Sequence, residues 1–179
     1  TVAAIISDPD AGRKFMVADS RIVPEMAALD PTLMVGLPPA VTAATGMDAL
    51  THAIEAFISG WATPATDRLA LAAVGMIVQH LPRASEHGGD LVARAKMALA
   101  ATYAGLAFTR ANVGNVHAIA HQLVGRYHVP HGLANAVMLP PVLRFELADA
   151  GAIERLIAAD QLTLEAALVI ARVDASGGT

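Results

Sequence analysis

The distribution of proline divides this chain into a broken first part and a longer part that can form regular helices. Prolines at positions 24, 31, 38 and 39 each remove a backbone donor and disfavour helical geometry in the preceding residue. No long helix is therefore expected before Pro39. Beyond it the chain is rich in Ala and Leu, and only 4% of all residues are aromatic, which suits closely packed helices. The sequence predicts a mainly α, multi-helical domain.

The first residues have a different pattern. Val2 to Ile6 is a short apolar run, the segment 8–12 has turn chemistry, and Arg13 to Ala18 can form a second strand. We therefore expect a strand, a turn and a strand ahead of the helices.

Helix boundaries follow from caps and breakers in the second part. Asp90 is a plausible N-cap, and Pro82, Gly125 and the Pro140–Pro141 pair are expected to end helices. The predicted helices run from about Pro39 to Phe57, Thr63 to Pro82, Leu91 to Ala111, Asn115 to Val124 and His131 to Leu139, with weaker patterns at 150–158 and 163–171.

Composition excludes several classes of protein. The net charge is −4 and the basic residues are scattered, so no basic surface is available for nucleic acid. The apolar run from Met97 to Thr109 is shorter than the roughly 20 residues that a bilayer requires. With no cysteine and no apolar leader, a cytoplasmic location is expected, with neither a membrane nor nucleic acid as partner.

Two pairs of polar residues have the spacing of one helical turn in otherwise apolar segments. Asp48 and His52 form the first pair, and His117 and His121 form the second. Each pair alone has an ordinary explanation. Asp48 and His52 are also explained as an early-helix acid beside a surface or core histidine, and His117 and His121 as a chance pair of buried, hydrogen-bonded histidines. His131 places a third histidine within fifteen residues, and this set of nitrogen and oxygen donors suits Fe²⁺, Zn²⁺, Ni²⁺ or Cu²⁺.

The remaining polar candidates are weaker. Glu55 shares the helical face of Asp48, where it could support a metal ligand from behind or be solvated. His128 lies in a predicted loop, and His80 and His87 flank a proline-broken segment without a carboxylate at ligand spacing. We expect these three histidines to be surface residues.

Two long motifs resemble the iron-containing (group III) alcohol dehydrogenase family. The first is Gly46-Met47-Asp48-Ala49-Leu50-Thr51-His52-Ala53-Ile54-Glu55-Ala56. The second is His117-Ala118-Ile119-Ala120-His121-Gln122-Leu123, followed by Tyr127-His128-Val129-Pro130-His131-Gly132-Leu133-Ala134-Asn135-Ala136. Ile6-Ser7-Asp8-Pro9, Lys14, Asp30-Pro31 and Leu37-Pro38-Pro39 are similar to the segments that join the family's two domains, so the resemblance covers about residues 1–143.

The resemblance implies a role for each of these candidate residues. Asp48, His52, His117 and His131 would coordinate the metal, usually Fe²⁺ and in some relatives Zn²⁺. His121 would lie beside the nicotinamide and the substrate as the catalytic and cofactor-binding residue, orienting the reacting oxygen or passing a proton. The implied reaction is reversible oxidation of an alcohol to an aldehyde or ketone with NAD or NADP.

The resemblance also implies a domain organisation. Residues 1–37 would be a remnant of the α/β cofactor-binding domain and its connector. Residues 38–179 would be the helical metal-binding domain of a dehydroquinate synthase-like fold, truncated or divergent at its end. A homo-oligomer is expected in the full-length form. Because the family's glycine-rich phosphate-binding segments are missing, the isolated chain is expected to bind metal without dehydrogenase activity.

Two other functions remain open. A helical metallohydrolase would use similar ligands to activate water, and a non-enzymatic module would hold a structural ion in closed coordination. The alcohol or carbonyl substrate is not specified by these motifs, although Trp61, Phe108 and Phe145 are candidates for its pocket.

Overall fold

The computed structural model describes residues 3–8 and 13–147 and confirms a mainly α fold. An antiparallel hairpin is followed by two 3-10 turns, Ser20–Ile22 and Pro31–Met34, and by five helices. The strands are β1 (Ala3–Asp8) and β2 (Arg13–Ala18). The helices are α1 (Pro39–Ile58), α2 (Pro64–Glu86), α3 (Leu91–Ala111), α4 (Asn115–Tyr127) and α5 (His131–Leu147).

The predicted strand, turn and strand form the hairpin. Ala3 pairs with Ala18 and Ile6 with Phe15. Apolar side chains of β2 are exposed, including Met16 at 64%. The hairpin's assignment to a separate domain over residues 1–37 stays a prediction.

The core lies where α1, α2 and α3 pack together. Its large side chains include Ile54 of α1, Ile77 of α2 and Met97 of α3, and all are buried. Alanines with no exposed surface, such as Ala53 and Ala100, separate them. Small side chains allow the helix axes to approach closely, which explains how an aromatic-poor sequence builds a dense core.

Two helices begin at side-chain caps. The Asp90 carboxylate accepts from the backbone N–H groups of Val92 and Ala93 at 3.0 Å, which confirms the predicted cap of α3. Thr63 and Thr66 form a reciprocal capping box at the start of α2. The sequence predicted both starts, that of α3 from the Asp90 cap and that of α2 from the apolar helical pattern that begins near Thr63.

The predicted helix ends were wrong at three places. α2 continues through Pro82 to Glu86, α4 continues past Gly125 to Tyr127, and α5 continues through Pro140 and Pro141 to Leu147. A proline inside a helix costs roughly 3 kcal/mol. At the prolines, burial of the residues that follow offsets this cost, since Ala84 follows Pro82 into the core and Val142 and Leu143 follow Pro141. The weak helical patterns at 150–158 and 163–171 lie outside the described residues.

Arg94 is a buried cation that connects the start of α1 to the loop before α3. Its guanidinium donates to Thr42 Oγ1 at 2.6 Å, to the carbonyl of Gly88 at 3.0 Å and to that of Leu37 at 3.3 Å. Only 2% of this residue is exposed. These bonds fix the direction in which the chain enters α1.

Helix α3 is long and apolar enough to cross a membrane by length and composition. In the structure it packs against α1 and α2 and supplies Ala93, Met97 and Ala100 to the core. A core helix in a helical domain passes the same test, so this is weak evidence for a membrane span.

Candidate metal centre

Four predicted ligand residues meet where α1, α4 and α5 pack together. We call Asp48, His52, His117 and His131 the Asp–His cluster. Asp48 Oδ1 lies 3.4 Å from Nε2 of His117 and 3.4 Å from Nε2 of His131. It lies 4.0 Å from Nδ1 of His52. The three helices therefore bring one carboxylate oxygen and three imidazoles together, although α1 is far in sequence from α4 and α5.

The approach of α5 to α1 depends on Gly132, which follows the cluster residue His131. A Cβ added at Gly132 would lie 2.5 Å from the carbonyl carbon of Ala44 in α1. No side chain fits at this distance, because the neighbouring atoms belong to backbone. The glycine thus lets the start of α5 lie against α1 and brings His131 beside Asp48.

His52 is held between two rings. The Phe108 ring stacks on one side of its imidazole at 4.4 Å between centroids, and the His117 ring stacks on the other at 4.3 Å. Both pairs are close to parallel, at 20° and 21°. This packing orients His52, whose ring has no hydrogen bond to another residue in the described part of the chain.

Asn135 reveals an excess of acceptor atoms in the cluster. Its Nδ2 lies 2.5 Å from Asp48 Oδ1, 3.2 Å from His117 Nε2 and 3.3 Å from His131 Nε2. When both imidazoles carry their lone pair on Nε2, the two hydrogens of this amide nitrogen cannot satisfy all three acceptors at once. Its own Oδ1 is buried and has no hydrogen-bond partner among the residues that the structure describes. Convergent acceptors with too few donors are the chemistry that a cation satisfies.

The spacing of the donor atoms also fits a metal ion. Two atoms bound to one ion at about 2.1 Å are roughly 3.4 Å apart in tetrahedral coordination. The distances from Asp48 to His117 and His131 match this value. One donor atom from each of Asp48, His52 and His117 also lies within 4.8 Å of the other two. The residues present therefore fit a divalent ion, and their assignment as its ligands stays a prediction.

The Glu55 side chain is buried, so it is not solvated. Its Oε2 lies 2.5 Å from Nδ1 of His117, on the side of the ring opposite Asp48. His117 thus lies between two carboxylates.

Burial and these carboxylates shift the pKa values of the two imidazoles in opposite directions. Burial lowers the pKa of His52 to about 4, and the charge of Asp48 only partly opposes this. For His117 burial also disfavours the charged ring, but hydrogen bonds to Asp48 and Glu55 outweigh it and raise the pKa to about 9.

The two carboxyl groups respond to the same contacts. Burial disfavours both carboxylates, yet hydrogen bonding with His117 and nearby donors leaves the pKa of Asp48 and of Glu55 below its ordinary value. Two carboxylates thus face an imidazole that carries a proton in the metal-free chain. A metal ion at Nε2 would take the place of that proton.

His121 lies beside the cluster and is exposed. Its ring centroid is 5.3 Å from that of His131 and 6.1 Å from that of His117. The ring of His121 therefore lies next to the cluster. Its catalytic and cofactor-binding role stays a prediction.

The other sequence candidates lie outside the cluster. His128 is the exposed left-handed residue that ends α4, with φ of 55°. His87 is exposed and His80 is half-buried. Phe108 contacts the cluster through His52, whereas Trp61 is exposed, and Phe145 lines a separate cavity with Asn115 and Ile119.

Sequence reasoning missed Asn135. Its signal was the helical spacing already used for the other pairs, because Asn135 follows His131 by four residues in the same helix. An asparagine draws less attention than a histidine in a search for metal ligands.

Known proteins resemble this chain in sequence and in fold. The model of the Fe-containing alcohol dehydrogenase family, C-terminal, matches residues 42–169, which is more than half of the chain. The chain is 51% identical over 155 residues to 1-propanol dehydrogenase PduQ of Citrobacter freundii, covering 87% of this chain and 42% of that protein.

Two solved structures have the same fold. The crystal structure of 1,3-propanediol oxidoreductase superposes with a TM-score of 0.80 and 48% identity, covering 84% of this chain and 39% of that one. Sulfoacetaldehyde reductase from Bifidobacterium kashiwanohense, in complex with NAD⁺, superposes with a TM-score of 0.78 and 34% identity, covering 81% and 39%.

The chain spans about two fifths of the length of these relatives. Within that span, the family model covers all four residues of the Asp–His cluster and all five described helices except the first residues of α1. The resemblance seen in the two motifs is confirmed, and the chain belongs to the Fe-containing alcohol dehydrogenase family.

Proposed function

We propose that this chain supplies the metal centre of an alcohol dehydrogenase that reversibly oxidises an alcohol to an aldehyde or ketone with NAD or NADP. The observation that carries the proposal is the approach of Asp48 Oδ1 to Nε2 of both His117 and His131, at 3.4 Å in each case. The family supports the reaction class, and the NAD⁺ complex of the related sulfoacetaldehyde reductase supports a nicotinamide cofactor.

The residues of the Asp–His cluster would hold Fe²⁺, with Zn²⁺ as the alternative ion. Such an ion supplies Lewis acidity that lowers the pKa of an alcohol and polarises a carbonyl. A nitrogen and oxygen donor set without thiolate suits either ion. Phe108 covers one face of His52 and shields that imidazole from water.

His121 is the residue best placed to move a proton. Its imidazole is exposed and lies close to the rings of His117 and His131. A neutral imidazole has one donor and one acceptor nitrogen, so it can accept a proton from the substrate side and release one toward solvent. We propose this role for His121, together with contact to the nicotinamide.

The test uses a chimera, because the chain spans only part of its relatives. The matched segment of Citrobacter freundii 1-propanol dehydrogenase is replaced by this chain, and alcohol-dependent reduction of NAD⁺ and NADP⁺ is measured. The names of the relatives make 1-propanol and 1,3-propanediol the first substrates to assay. Turnover that disappears with a chelator and returns with Fe²⁺ or Zn²⁺ is expected.

Two variants of the chimera separate the roles of the histidines. His131→Ala should reduce metal content sharply, because it removes a donor atom. His121→Ala should retain metal and impair turnover, because it removes the proposed proton relay and nicotinamide contact but no proposed metal ligand. Equal metal loss in both variants would contradict the roles. Hydrolysis of phosphate esters or amides that exceeds alcohol oxidation would instead favour a metallohydrolase, and a Co²⁺ spectrum without an exchangeable ligand would favour a structural ion.

Location and assembly are proposals from the sequence and the family. We propose a cytoplasmic protein that acts on a small alcohol or carbonyl compound and forms a homo-oligomer, with no role for membrane or nucleic acid. The scattered basic residues support the last point. Light scattering of the chimera tests the oligomeric state.

A further inference from the structure

Glu55 is a buried acid whose described hydrogen bonds go to Gly114 and to the first turn of α4. It lies in the second half of α1 and is 1% exposed. Its carboxylate is bonded to the backbone N–H groups of Val116 and His117 and to the imidazole of His117. The proposed chemistry gives this residue no task.

One carboxylate oxygen caps α4. Oε1 accepts from the N–H of Val116 at 2.6 Å and from that of His117 at 3.4 Å. The residue before the helix, Gly114, has no side chain to accept these bonds. A Cβ added there would lie 3.1 Å from Oε1, so glycine leaves room for the carboxylate. Glu55 therefore replaces the missing cap from another helix and lies at the positive end of the α4 dipole.

The other oxygen sets the direction of the His117 ring. Oε2 lies 2.5 Å from Nδ1, and a carboxylate can only accept, so Nδ1 carries the proton of this bond. The neutral ring then has its lone pair on Nε2, which faces Asp48 at 3.4 Å. Histidine ligands are commonly fixed in this way by a carboxylate behind them.

We propose that Glu55 is a positioning residue that holds His117 in the tautomer whose Nε2 is free to bind the metal. The inference rests on the proposed function, because it assumes that the Asp–His cluster binds an ion. Since Oε1 anchors the carboxylate to the helix backbone, the orientation of the imidazole is tied to that of α4. One side chain thus couples the start of a helix to the tautomer of its third residue.

Glu55→Gln distinguishes the two roles of Glu55, capping of α4 and control of the His117 tautomer. The glutamine oxygen can still accept from the N–H groups of Val116 and His117, so the cap is retained. Its NH₂ group then faces Nδ1 of His117 and donates to it, which moves the ring proton to Nε2. The opposite amide orientation would place NH₂ hydrogens against the two backbone N–H groups. That second orientation would keep the Nδ1 proton, but it would leave the buried N–H groups of the cap without an acceptor, so the first orientation is favoured and opposes metal binding at Nε2.

The test is zinc titration of the 179-residue chain together with ¹⁵N-resolved NMR of its imidazoles. We expect Glu55→Gln to keep the helical content and to raise the Zn²⁺ dissociation constant about 10- to 100-fold. The matched control is Thr42→Val, which removes a buried long-range hydrogen bond from the same helix without touching the cluster. Thr42→Val should lower the melting temperature and leave zinc affinity unchanged.

The NMR measurement does not depend on the metal. In the wild-type chain the Nδ1 proton of His117 should give a downfield resonance with or without zinc, and Glu55→Gln should abolish it. A wild-type chain that shows this resonance but binds no zinc would refute the proposed metal centre and support the role of Glu55 in orienting the ring. A variant that binds zinc as tightly as wild type, or a wild-type ring protonated only on Nε2, would overturn the role of Glu55.

Discussion

Gly132→Ala tests whether the contact between α5 and α1 places His131 in the cluster. The added Cβ would lie 2.5 Å from the carbonyl carbon of Ala44, whereas ordinary van der Waals contact begins at 3.4 Å. The carbonyl oxygen of Ala44 lies closer still, so the start of α5 would move by at least about 0.9 Å, because its neighbour is backbone rather than a flexible side chain. The adjacent residue, His131, would move with it.

The expected magnitude follows from overpacking and from the tolerance of metal sites. Overpacking costs roughly 1–3 kcal/mol, which in a domain of this size lowers the melting temperature by roughly 2–12 °C. Metal sites accept ligand displacements of only about 0.2 Å, so zinc affinity should fall about tenfold or more. Thermal melting of the metal-free chain and zinc titration measure the two effects separately.

Gly75→Ala is the matched control. Gly75 lies in the middle of α2, is exposed, and has nothing within 4 Å of an added Cβ. Alanine there should stabilise the chain by roughly 0.4–1 kcal/mol through helix propensity, without a change in zinc affinity. If Gly132→Ala melted at or above the wild-type temperature and bound zinc equally well, the close contact between the helices would not position His131.

Two further predictions concern pH and the buried arginine. In the metal-free chain the raised pKa of His117 contributes stability that is complete below about pH 6.5 and is lost as the pH rises through about 9. The lowered pKa of His52 contributes stability that is present above about pH 6.5 and is lost as the pH falls toward 4. Melting temperatures measured across pH should therefore be highest near pH 6.5, and saturating zinc should remove the alkaline decline; a flat profile would contradict the pKa assignments. Arg94→Met leaves the carbonyls of Leu37 and Gly88 without their donor and should cost roughly 1–3 kcal/mol in a denaturant titration. The zinc affinity of this variant should equal that of wild type, because the described hydrogen bonds of Arg94 involve no cluster residue. A loss of zinc affinity alongside the loss of stability would show that the start of α1 and the metal site are coupled.

The sequence by itself determined the starts of the helices and the identity of the cluster. Caps such as Asp90 act within one turn of the chain, so they are readable locally. The pairs Asp48 with His52 and His117 with His121 share a helical face by spacing alone. The two motifs also identified the family.

Only the tertiary structure decided where the helices end and which polar groups meet. α5 continues through two prolines because the residues that follow them are buried against other helices, a gain that no local pattern contains. Glu55 and His117 are separated by 62 residues, and Asp48 and Asn135 by 87. Contacts over such distances depend on how α1, α4 and α5 pack, which the spacing of residues within a single helix cannot specify.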